Sequence, residues 1–340
     1  MPVLRSTLVA LAAMWCVAGQ AFAATVDETM AKLATEAAKV GNVIWYESSP
    51  AEATAKVAAA FAKRFPGVKL EHVRDTGGNS IGGRIVQEVQ GGARTADVAT
   101  TGAAIVMPLA ERGMIKEHDW VAMGMSAELA PSRLGVVTAA AVYAIIYNTQ
   151  QVKEADAPKS WEDLTDKRWA GKLGIWVRAE AQGGLAAAWG VDKVADYIRR
   201  MNVLGPVLLP STFPLAQQVA AGELHVGLGL NHAAQPPLRR GAPIKVVIPD
   251  PASISTLYSV VPAKAQNASG GALFALWLAT PEGAKVYEDA TDRGNPYIAG
   301  TRTNELLKGR KLAFFPPAKV AEEAAAVQRF NKMLESREKP

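Results

Sequence analysis

Short apolar runs alternate along this chain with segments whose apolar residues recur every three or four positions. The run Val43–Tyr46 is typical of a short buried strand. The segment after it places Val57, Phe61 and Phe65 on one face of a helix. Because the pattern repeats along the chain, it predicts an α/β protein with mostly parallel strands.

Two segments carry signals for the start of a helix. Ser49 stands at an N-cap position, with Pro50 at the first helical position and Glu52 at the third, which is a capping box. We therefore expect this helix to begin at Pro50 with the Ser49 side chain as its cap. The segment Pro158–Leu164 predicts a second capped helix.

Two long β-prone runs, Val136–Tyr147 and Ile254–Val261, are predicted to carry the chain into a second domain and back. Shorter strands are predicted between them and on either side of them. These strands are Val68–Val73, Ala96–Ala99, Gly171–Val177 and Leu224–Leu230. A short helix is predicted at Phe213–Val219, ahead of the last of them. The predicted organisation is a leader at 1–23, a first lobe at 24–137, a second lobe at 138–253, a return to the first lobe at 254–290, and C-terminal helices packing on the lobes at 291–340.

The beginning of the chain has the features of an export signal. Arg5 gives a positive start, Leu8–Val17 is apolar, and small residues occupy positions 21 and 23, so we expect cleavage after Ala23 and a periplasmic location. The apolar run is shorter than the ~20 residues that a membrane-spanning helix needs. The only cysteine, Cys16, lies within the leader. The mature chain is therefore expected to have no disulfide, thiol nucleophile or cysteine metal site.

The charge of the chain gives little support for a nucleic-acid partner. There are 37 Lys and Arg against 32 Asp and Glu, a net charge of +5. Loss of the leader removes one arginine and leaves +4, and the charges do not form runs.

Five sequence signatures occur in order along the chain. They are Trp45–Ser49, Ala96–Val98 ahead of Thr100–Gly102, Tyr147–Thr149, Pro158–Leu164 with Trp169–Gly174, and Leu278–Ala284. With these signatures, the chain resembles the periplasmic solute-binding proteins of ABC importers, in the ferric-iron-binding-like branch of extracellular solute-binding family 1. The resemblance covers almost the whole mature chain. It implies a two-lobed type II periplasmic binding protein, α/β with mostly parallel sheets, whose ligand cleft lies between the lobes.

The iron site of that branch does not carry over to this chain. Iron-binding members have paired tyrosines after the buried strand, where this sequence reads Asn231–Gln235. Many also have a histidine in the first loop, which here reads Ser48–Pro50. Phenolate oxygens suit the hard ferric ion, and no second histidine or acidic pair lies close to His232 in the sequence. We therefore expect no metal site and no cofactor.

The candidate ligand contacts are small polar residues near strand ends, joined by one arginine. Helix starts at such ends suit anions, because their N–H groups lack partners and the helix dipole is positive there. The candidates are Ser48, Ser49, Asn79, Ser80, Thr100, Thr101, Arg178, Ser211, Thr212, Asn231, His232 and Tyr258.

Each candidate also has an ordinary structural interpretation. Ser49 can act only as a cap, and Gly77–Ser80 can be a plain turn. Arg178 follows a strand and can grip a carboxylate or phosphate with two hydrogen bonds, or it can be a surface residue. Trp176 can pack in the core or line the cleft, and His232 can be a hydrogen-bonded structural residue.

The expected function is that of the solute-binding component of an ABC transporter. It would capture a small anionic organic solute, a carboxylate or a phosphorylated or phosphonate compound, by lobe closure. It would act as a monomer and deliver the solute through transient contact with an inner-membrane permease. The alternatives are a ferric-iron or metal-complex binding protein and a secreted α/β hydrolase. We expect no enzymatic activity, because the sequence lacks a Gly-x-Ser-x-Gly elbow, a His-Glu-x-x-His helix and, after cleavage, cysteine.

Overall fold

The chain, seen in a computed structural model that describes residues 26–75 and 78–340, divides into two compact units. The predicted signal peptide, residues 1–23, lies outside the described residues. Unit 1 comprises the described residues up to Thr101 together with Pro108–Thr138 and Tyr258–Val286. Unit 2 comprises Gly102–Met107, Ala139–Leu257 and Tyr287–Pro340.

The first part of the chain alternates helices with strands, as the apolar pattern predicts. In order these are α1 (residues 26–40), β1 (Asn42–Glu47), α2 (Ala51–Arg64), β2 (Lys69–Arg74), α3 (Gly78–Gln90), β3 (Val98–Gly102) and α4 (Ala103–Glu111). Strand β1 pairs in parallel with both β2 and β3, which gives the order β2-β1-β3. The carboxyl ends of these strands therefore lie at one edge of the sheet.

A long strand, β4 (Gly135–Asn148), carries the chain from unit 1 into unit 2. The elements that follow are β5 (Leu173–Trp176), α5 (Glu180–Trp189), α6 (Val191–Val203), β6 (Val207–Leu209), α7 (Thr212–Ala221), β7 (Val226–Leu230), α8 (Asn231–Arg239) and β8 (Ile244–Val247). Strands β6 and β7 are both parallel to β5, whereas β4 is antiparallel to β7 and β8. The predicted mostly parallel α/β architecture is confirmed.

A second strand, β9 (Ala252–Val260), returns the chain to unit 1. It is followed by α9 (Ala268–Leu278), α10 (Pro281–Thr291), α11 (Arg302–Leu307), β10 (Leu312–Ala313) and α12 (Val320–Glu335). Strand β10 pairs in parallel with β9, and α12 packs against α5 and α6 in unit 2.

Each unit has its own aromatic core. In unit 1 the Phe61 ring lies 5.1 Å from Phe274 and 5.4 Å from Trp277, and Trp45 lies 4.9 Å from Phe274. The unit 2 core includes Trp161, Trp169, Tyr197 and Phe330. Burying a large apolar side chain contributes roughly 1.5–3 kcal/mol, so these clusters anchor the helices to the sheets.

Strand β7 contains glycines because helix α7 lies very close to it. A Cβ atom at Gly227 would lie 2.5 Å from Leu215 Cδ2, which is too short for any real contact. Glycine therefore lets α7 approach the strand.

The segment Pro158–Leu164 corrects one prediction. The expected capped helix is replaced by two short 3₁₀ turns, Glu162–Thr165 and Lys167–Trp169. The Asp163 carboxylate accepts hydrogen bonds from the backbone N–H groups of Lys159 and Ser160, at 2.8 and 2.9 Å. These local bonds compete with a regular helix start.

Candidate functional site

Three helix starts lie along one edge of the unit 2 sheet. The parallel strands β7, β5 and β6 are neighbours in that order, and each runs within a few residues into a helix: α8, α5 and α7 respectively. Neighbouring strands are about 4.8 Å apart, so these helix N-termini are brought close together. The first N–H groups of a helix have no partner within the helix, and the dipole is positive there, so this edge is suited to an acidic group. Two of these N–H groups already have side-chain acceptors: Ala179 donates to Asn331 Oδ1 at 2.7 Å, and Phe213 donates to Ser211 Oγ.

Arg178 lies on this edge, between β5 and α5. Its guanidinium lies over the Trp176 ring, 4.8 Å from the centroid, and Nη2 forms an ion pair with Glu180 Oε1. The Trp176 indole N–H donates to the carbonyl of Pro210, at 3.3 Å, which links the start of α5 to the start of α7. The Arg178 side chain is still 42% exposed. It is therefore partly accessible to a ligand but not an isolated surface cation.

A small pocket opens beside Arg178, entirely within unit 2. It is lined by Tyr143, Trp176, Arg178, Ala181, Gln182, Leu228 and Gly229. Gln182 is only 2% exposed, and its Oε1 has no hydrogen-bond partner among residues 26–75 and 78–340. The Tyr143 hydroxyl pairs with Ser255 Oγ at 3.3 Å, and burial raises the pKa of this phenol.

Glu180 pairs with Arg178, which lines the pocket. One carboxylate oxygen meets the guanidinium, and the other, Oε2, is buried without a hydrogen-bond partner in the part of the chain that the structure describes. Burial raises the pKa of Glu180, while the charge of Arg178 opposes this shift. The pair therefore leaves a buried acceptor close to Arg178.

The candidates at the start of α7 have mainly structural contacts. Ser211 is the N-cap of this helix, and its hydroxyl oxygen accepts from the Phe213 backbone N–H at 3.4 Å. Thr212 is buried in the first turn. The predicted helix at Phe213–Val219 is confirmed as part of α7.

The candidates at the start of α8 differ from each other. Asn231 Oδ1 accepts from Gln235 Nε2 at 3.0 Å, so part of this amide is used within the helix. His232 is 4% exposed and lies 5.8 Å from the Phe213 ring. Its Nε2 accepts from Arg293 Nε at 3.4 Å, which leaves the proton of the neutral ring on Nδ1. Within residues 26–75 and 78–340, Nδ1 has no hydrogen-bond partner.

The charge state of His232 follows from these surroundings. Burial, and then the charge of Arg293, hold its pKa well below the usual value of 6.5. His232 is therefore a neutral donor at physiological pH.

In unit 1, the start of α2 departs from the predicted capping box. The helix begins at Ala51, with Pro50 at the N-cap position and no side-chain cap bond. The buried Glu47 carboxylate instead accepts from the backbone N–H of Ser49 and from its hydroxyl, the latter at 3.1 Å. Ser48 is half-buried, and its hydroxyl lies 3.5 Å from Glu47 Oε1. Glu47 therefore orders both serines.

Thr100 and Thr101 lie at the end of β3, and α4 begins at Ala103 directly after Gly102, as the sequence predicts. Both are buried. The Thr100 hydroxyl accepts from the Trp45 indole N–H at 2.9 Å and pairs with Ser259 Oγ at 2.8 Å. These bonds tie Thr100 into unit 1. Tyr258, on β9, is buried as well.

The remaining candidates are placed only by their backbone. Asn79 and Ser80 belong to the first turn of α3, which begins at Gly78. Thr76 and Gly77, in the predicted turn ahead of them, lie outside the described residues. The proposed anion contacts at Asn79 and Ser80 therefore stay predictions.

Sequence reasoning missed the polar residues that follow Arg178. Helix α5 reads Glu-Ala-Gln-Gly-Gly-Leu-Ala-Ala-Ala-Trp, in which Glu180 and Gln182 are the only residues with charged or amide side chains. Two such residues in the first turn of an otherwise small and apolar helix were an available signal. Glu47, Tyr143 and Glu323 were also missed, because nothing in their local sequence distinguishes them.

The described part of the chain contains no group of three or more His, Cys, Asp or Glu residues that could hold a metal ion. Over the same residues, no helix is both long enough and apolar enough to cross a bilayer.

The family follows from a match over most of the chain. Residues 56–298 match the profile of the bacterial extracellular solute-binding proteins. The chain belongs to this family. Membership in this solute-binding family implies a periplasmic location.

A curated relative matches a smaller part of the chain. A protein of Haemophilus influenzae, described as uncharacterized, is 28% identical over 138 residues, which are 38% of this chain. The match spans 40% of the length of that relative.

Solved structures of solute-binding proteins share the fold over almost their full length. Iron-bound HitA from Pseudomonas aeruginosa has a TM-score of 0.73 and 17% identity, covering 86% of this chain and 99% of HitA. AfuA from Actinobacillus pleuropneumoniae, bound to fructose-6-phosphate, has a TM-score of 0.72 and 21% identity, covering 87% and 99%. The predicted type II periplasmic binding protein fold is confirmed.

Proposed function

We propose that this solute-binding protein captures a small organic acid, a carboxylate or a phosphorylated compound, for an ABC importer. It would deliver the acid to the membrane permease by transient contact. The observation that carries this proposal is the edge of unit 2, where the starts of α5, α7 and α8 and the guanidinium of Arg178 lie along one line of parallel strand ends.

The chemistry of this edge favours an acid over a neutral or cationic solute. Helix N-termini offer N–H donors and a positive dipole, and Arg178 offers a planar, permanently charged donor group. His232 adds a neutral Nδ1–H at the start of α8. All of these groups are donors, and an acid supplies acceptors.

Ferric iron is a less suitable ligand, although HitA binds iron. The segment Asn231–Gln235 contains no tyrosine, and its first two side chains bond to neighbouring protein groups instead. A sugar phosphate, which AfuA binds, fits the same edge better because its phosphate can meet N–H donors.

We also infer a binding role without catalysis and a movement of the two units when ligand binds. Strands β4 and β9 each contain residues of both units, so they provide the connection about which such a movement would occur. Small-angle scattering of a monomer should show a smaller radius of gyration with ligand, and an unchanged radius at saturation would contradict the movement.

The test begins with a thermal-shift panel. It contains fructose 6-phosphate, inorganic phosphate, succinate, gluconate and 4-aminobutyrate as acids, with glucose, choline and ferric citrate as alternatives. A ligand at 100 times its Kd should stabilise the protein by about 2.7 kcal/mol. Stabilisation only by glucose or choline would overturn the acid proposal, and a visible tyrosinate–iron absorption band would favour an iron carrier. Site-dependent turnover of simple esters would favour the hydrolase.

Calorimetric titration of the best acid then tests Arg178 directly. Charge-assisted hydrogen bonds contribute about 1.5–3 kcal/mol, so Arg178→Ala should weaken binding roughly 10- to 150-fold. The matched control is Arg329→Ala, since Arg329 is also partly exposed and paired with one carboxylate, Asp192. Equal affinities of the Arg178→Ala variant and the wild type would remove Arg178 from the site.

A further inference from the structure

We propose that the ligand carries hydrogen-bond donors, ammonium or hydroxyl groups, close to its acid group, and that Gln182 together with Glu180 selects for them. This inference rests on the proposed function and concerns the same edge of unit 2. It adds a second requirement for the ligand, because the acid group accepts hydrogen bonds from the donors of the site but offers nothing to its acceptors.

The donors around the pocket are largely occupied by protein groups. The Trp176 indole N–H is donated to Pro210, and the Tyr143 hydroxyl pairs with Ser255. The Nη2 atom of Arg178 forms the ion pair with Glu180. The donors that remain for a ligand at the pocket are the outer part of the Arg178 guanidinium and the amide nitrogen of Gln182.

Two acceptors in the first turn of α5 have no hydrogen-bond partner among the described residues. Gln182 Oε1 and Glu180 Oε2 are both buried, and neither has a hydrogen-bond partner in the described stretches 26–75 and 78–340. Gln182 lines the pocket and is 2% exposed. A buried acceptor without a donor is costly, so its presence beside a pocket indicates a donor on the ligand.

The local charge supports the same conclusion. Glu180 neutralises Arg178, and Glu323 on α12 adds a second carboxyl, whose ionisation is opposed first by burial and then by the charge of Glu180. The surroundings of Arg178 therefore contain one guanidinium and two carboxyl groups. A bare anion gains less here than an acid that also brings N–H or O–H groups.

Helix α5 gives Gln182 no structural need for an amide. The residues after it are Gly183, Gly184 and Leu185, all buried, and a methionine would fill the same volume. Sites built to hydrogen-bond a ligand reject analogues that lack the bonding group, because the protein group is then left unpaired. Gln182 is thus suited to specificity and not to packing.

The experiment uses two matched pairs of acids, titrated calorimetrically into the full mature chain. The pairs are 4-aminobutyrate with butyrate, and gluconate with hexanoate. The first pair tests an ammonium donor and the second tests hydroxyl donors. We expect the donor-bearing member of at least one pair to bind at least ~10-fold tighter than its partner.

Gln182→Met should reduce the preference for the donor-bearing acid roughly 10-fold. The control Gln217→Met, at an exposed position on α7, should leave that preference unchanged.

Urea unfolding distinguishes a ligand-binding role of Gln182 from a structural role. If Gln182 serves the ligand, Gln182→Met removes a buried unpaired oxygen and the variant unfolds at the same or a higher urea concentration than the wild type.

Three outcomes would overturn the inference. They are equal binding within both pairs, an unchanged preference in Gln182→Met, and a lower urea midpoint for that variant. If inorganic phosphate or succinate binds and none of the four test acids does, the proposed function stands and this inference fails. If no acid binds at all, the proposed function fails first.

Discussion

The carboxyl ends of the strands in the two units contain similar polar residues and use them differently. In unit 1, Glu47 accepts from Ser49, and Thr100 bonds to both Trp45 and Ser259. In unit 2, buried polar atoms beside the strand ends have no partner within residues 26–75 and 78–340. These atoms are Glu180 Oε2, Gln182 Oε1 and His232 Nδ1.

This difference separates residues that hold the fold from residues that are suited to a ligand. A buried polar group with protein partners contributes to stability, and its loss leaves another group unpaired. A buried polar group without a protein partner costs stability, and a ligand can offset that cost. Substitutions of the polar residues at the unit 1 strand ends should therefore lower the free energy of unfolding. Substitutions of the unpartnered residues at the unit 2 strand ends should mainly change ligand affinity.

The largest expected effect is on the unit 1 side. Thr100→Val keeps the shape of the side chain but removes the hydroxyl that accepts from the buried Trp45 indole N–H and that pairs with Ser259. We expect the free energy of unfolding to fall by about 2–4 kcal/mol in urea titrations followed by fluorescence. The control Thr35→Val, on the exposed face of α1, should change it by less than about 0.5 kcal/mol. Unchanged stability with lost solute affinity would make Thr100 a ligand contact and erase the contrast.

A smaller, pH-dependent effect is expected in unit 2. Burial, together with the nearby Glu180, raises the pKa of Glu323 from 4.5 to about 7. Between these values the folded chain holds a proton that the unfolded chain has lost, so stability falls as pH rises through this window. Glu323→Gln removes this titration. The variant should match the wild type near pH 4 and exceed it by about 1–3 kcal/mol at pH 8.

The control for that measurement is Glu322→Gln, the exposed neighbour on α12. Its unfolding free energy should follow the wild-type pH profile. If the unfolding free energies of Glu323→Gln and the wild type changed with pH in the same way, Glu323 would not be buried next to Glu180 as described.

The smallest effect is expected at Ser211, a unit 2 residue whose hydroxyl already has a protein partner, as the polar residues at the unit 1 strand ends do. Ser211 caps α7, so Ser211→Ala should cost about 1 kcal/mol of unfolding free energy, and Ser211→Gly only a few tenths. Solute affinity, measured by calorimetry, should stay within about twofold if the hydroxyl serves only the cap. A larger loss of affinity with little loss of stability would place Ser211 in the ligand site.

Much of the fold could be predicted from local patterns in the sequence. The strands at Val43–Tyr46 and Val136–Tyr147 and the helix at Phe213–Val219 are confirmed, because apolar periodicity reflects burial directly. The predicted helix at Pro158–Leu164 is wrong, since Asp163 bonds locally and the capping signal does not require a helix. The Ser49 cap is wrong for a related reason, because Glu47 captures the same serine.

By itself, the sequence determined the α/β architecture, the strand ends at which candidate residues gather, and the absence of tyrosines from Asn231–Gln235. Only the tertiary structure decided which of those residues are already paired. Hydrogen-bond partners such as Trp45 and Ser259 for Thr100, or Arg293 for His232, are separated by 55 to 159 residues along the chain. A polar side chain carries no local sign of whether folding will bring it a partner, and that pairing decides whether it stabilises the protein or is left for a ligand.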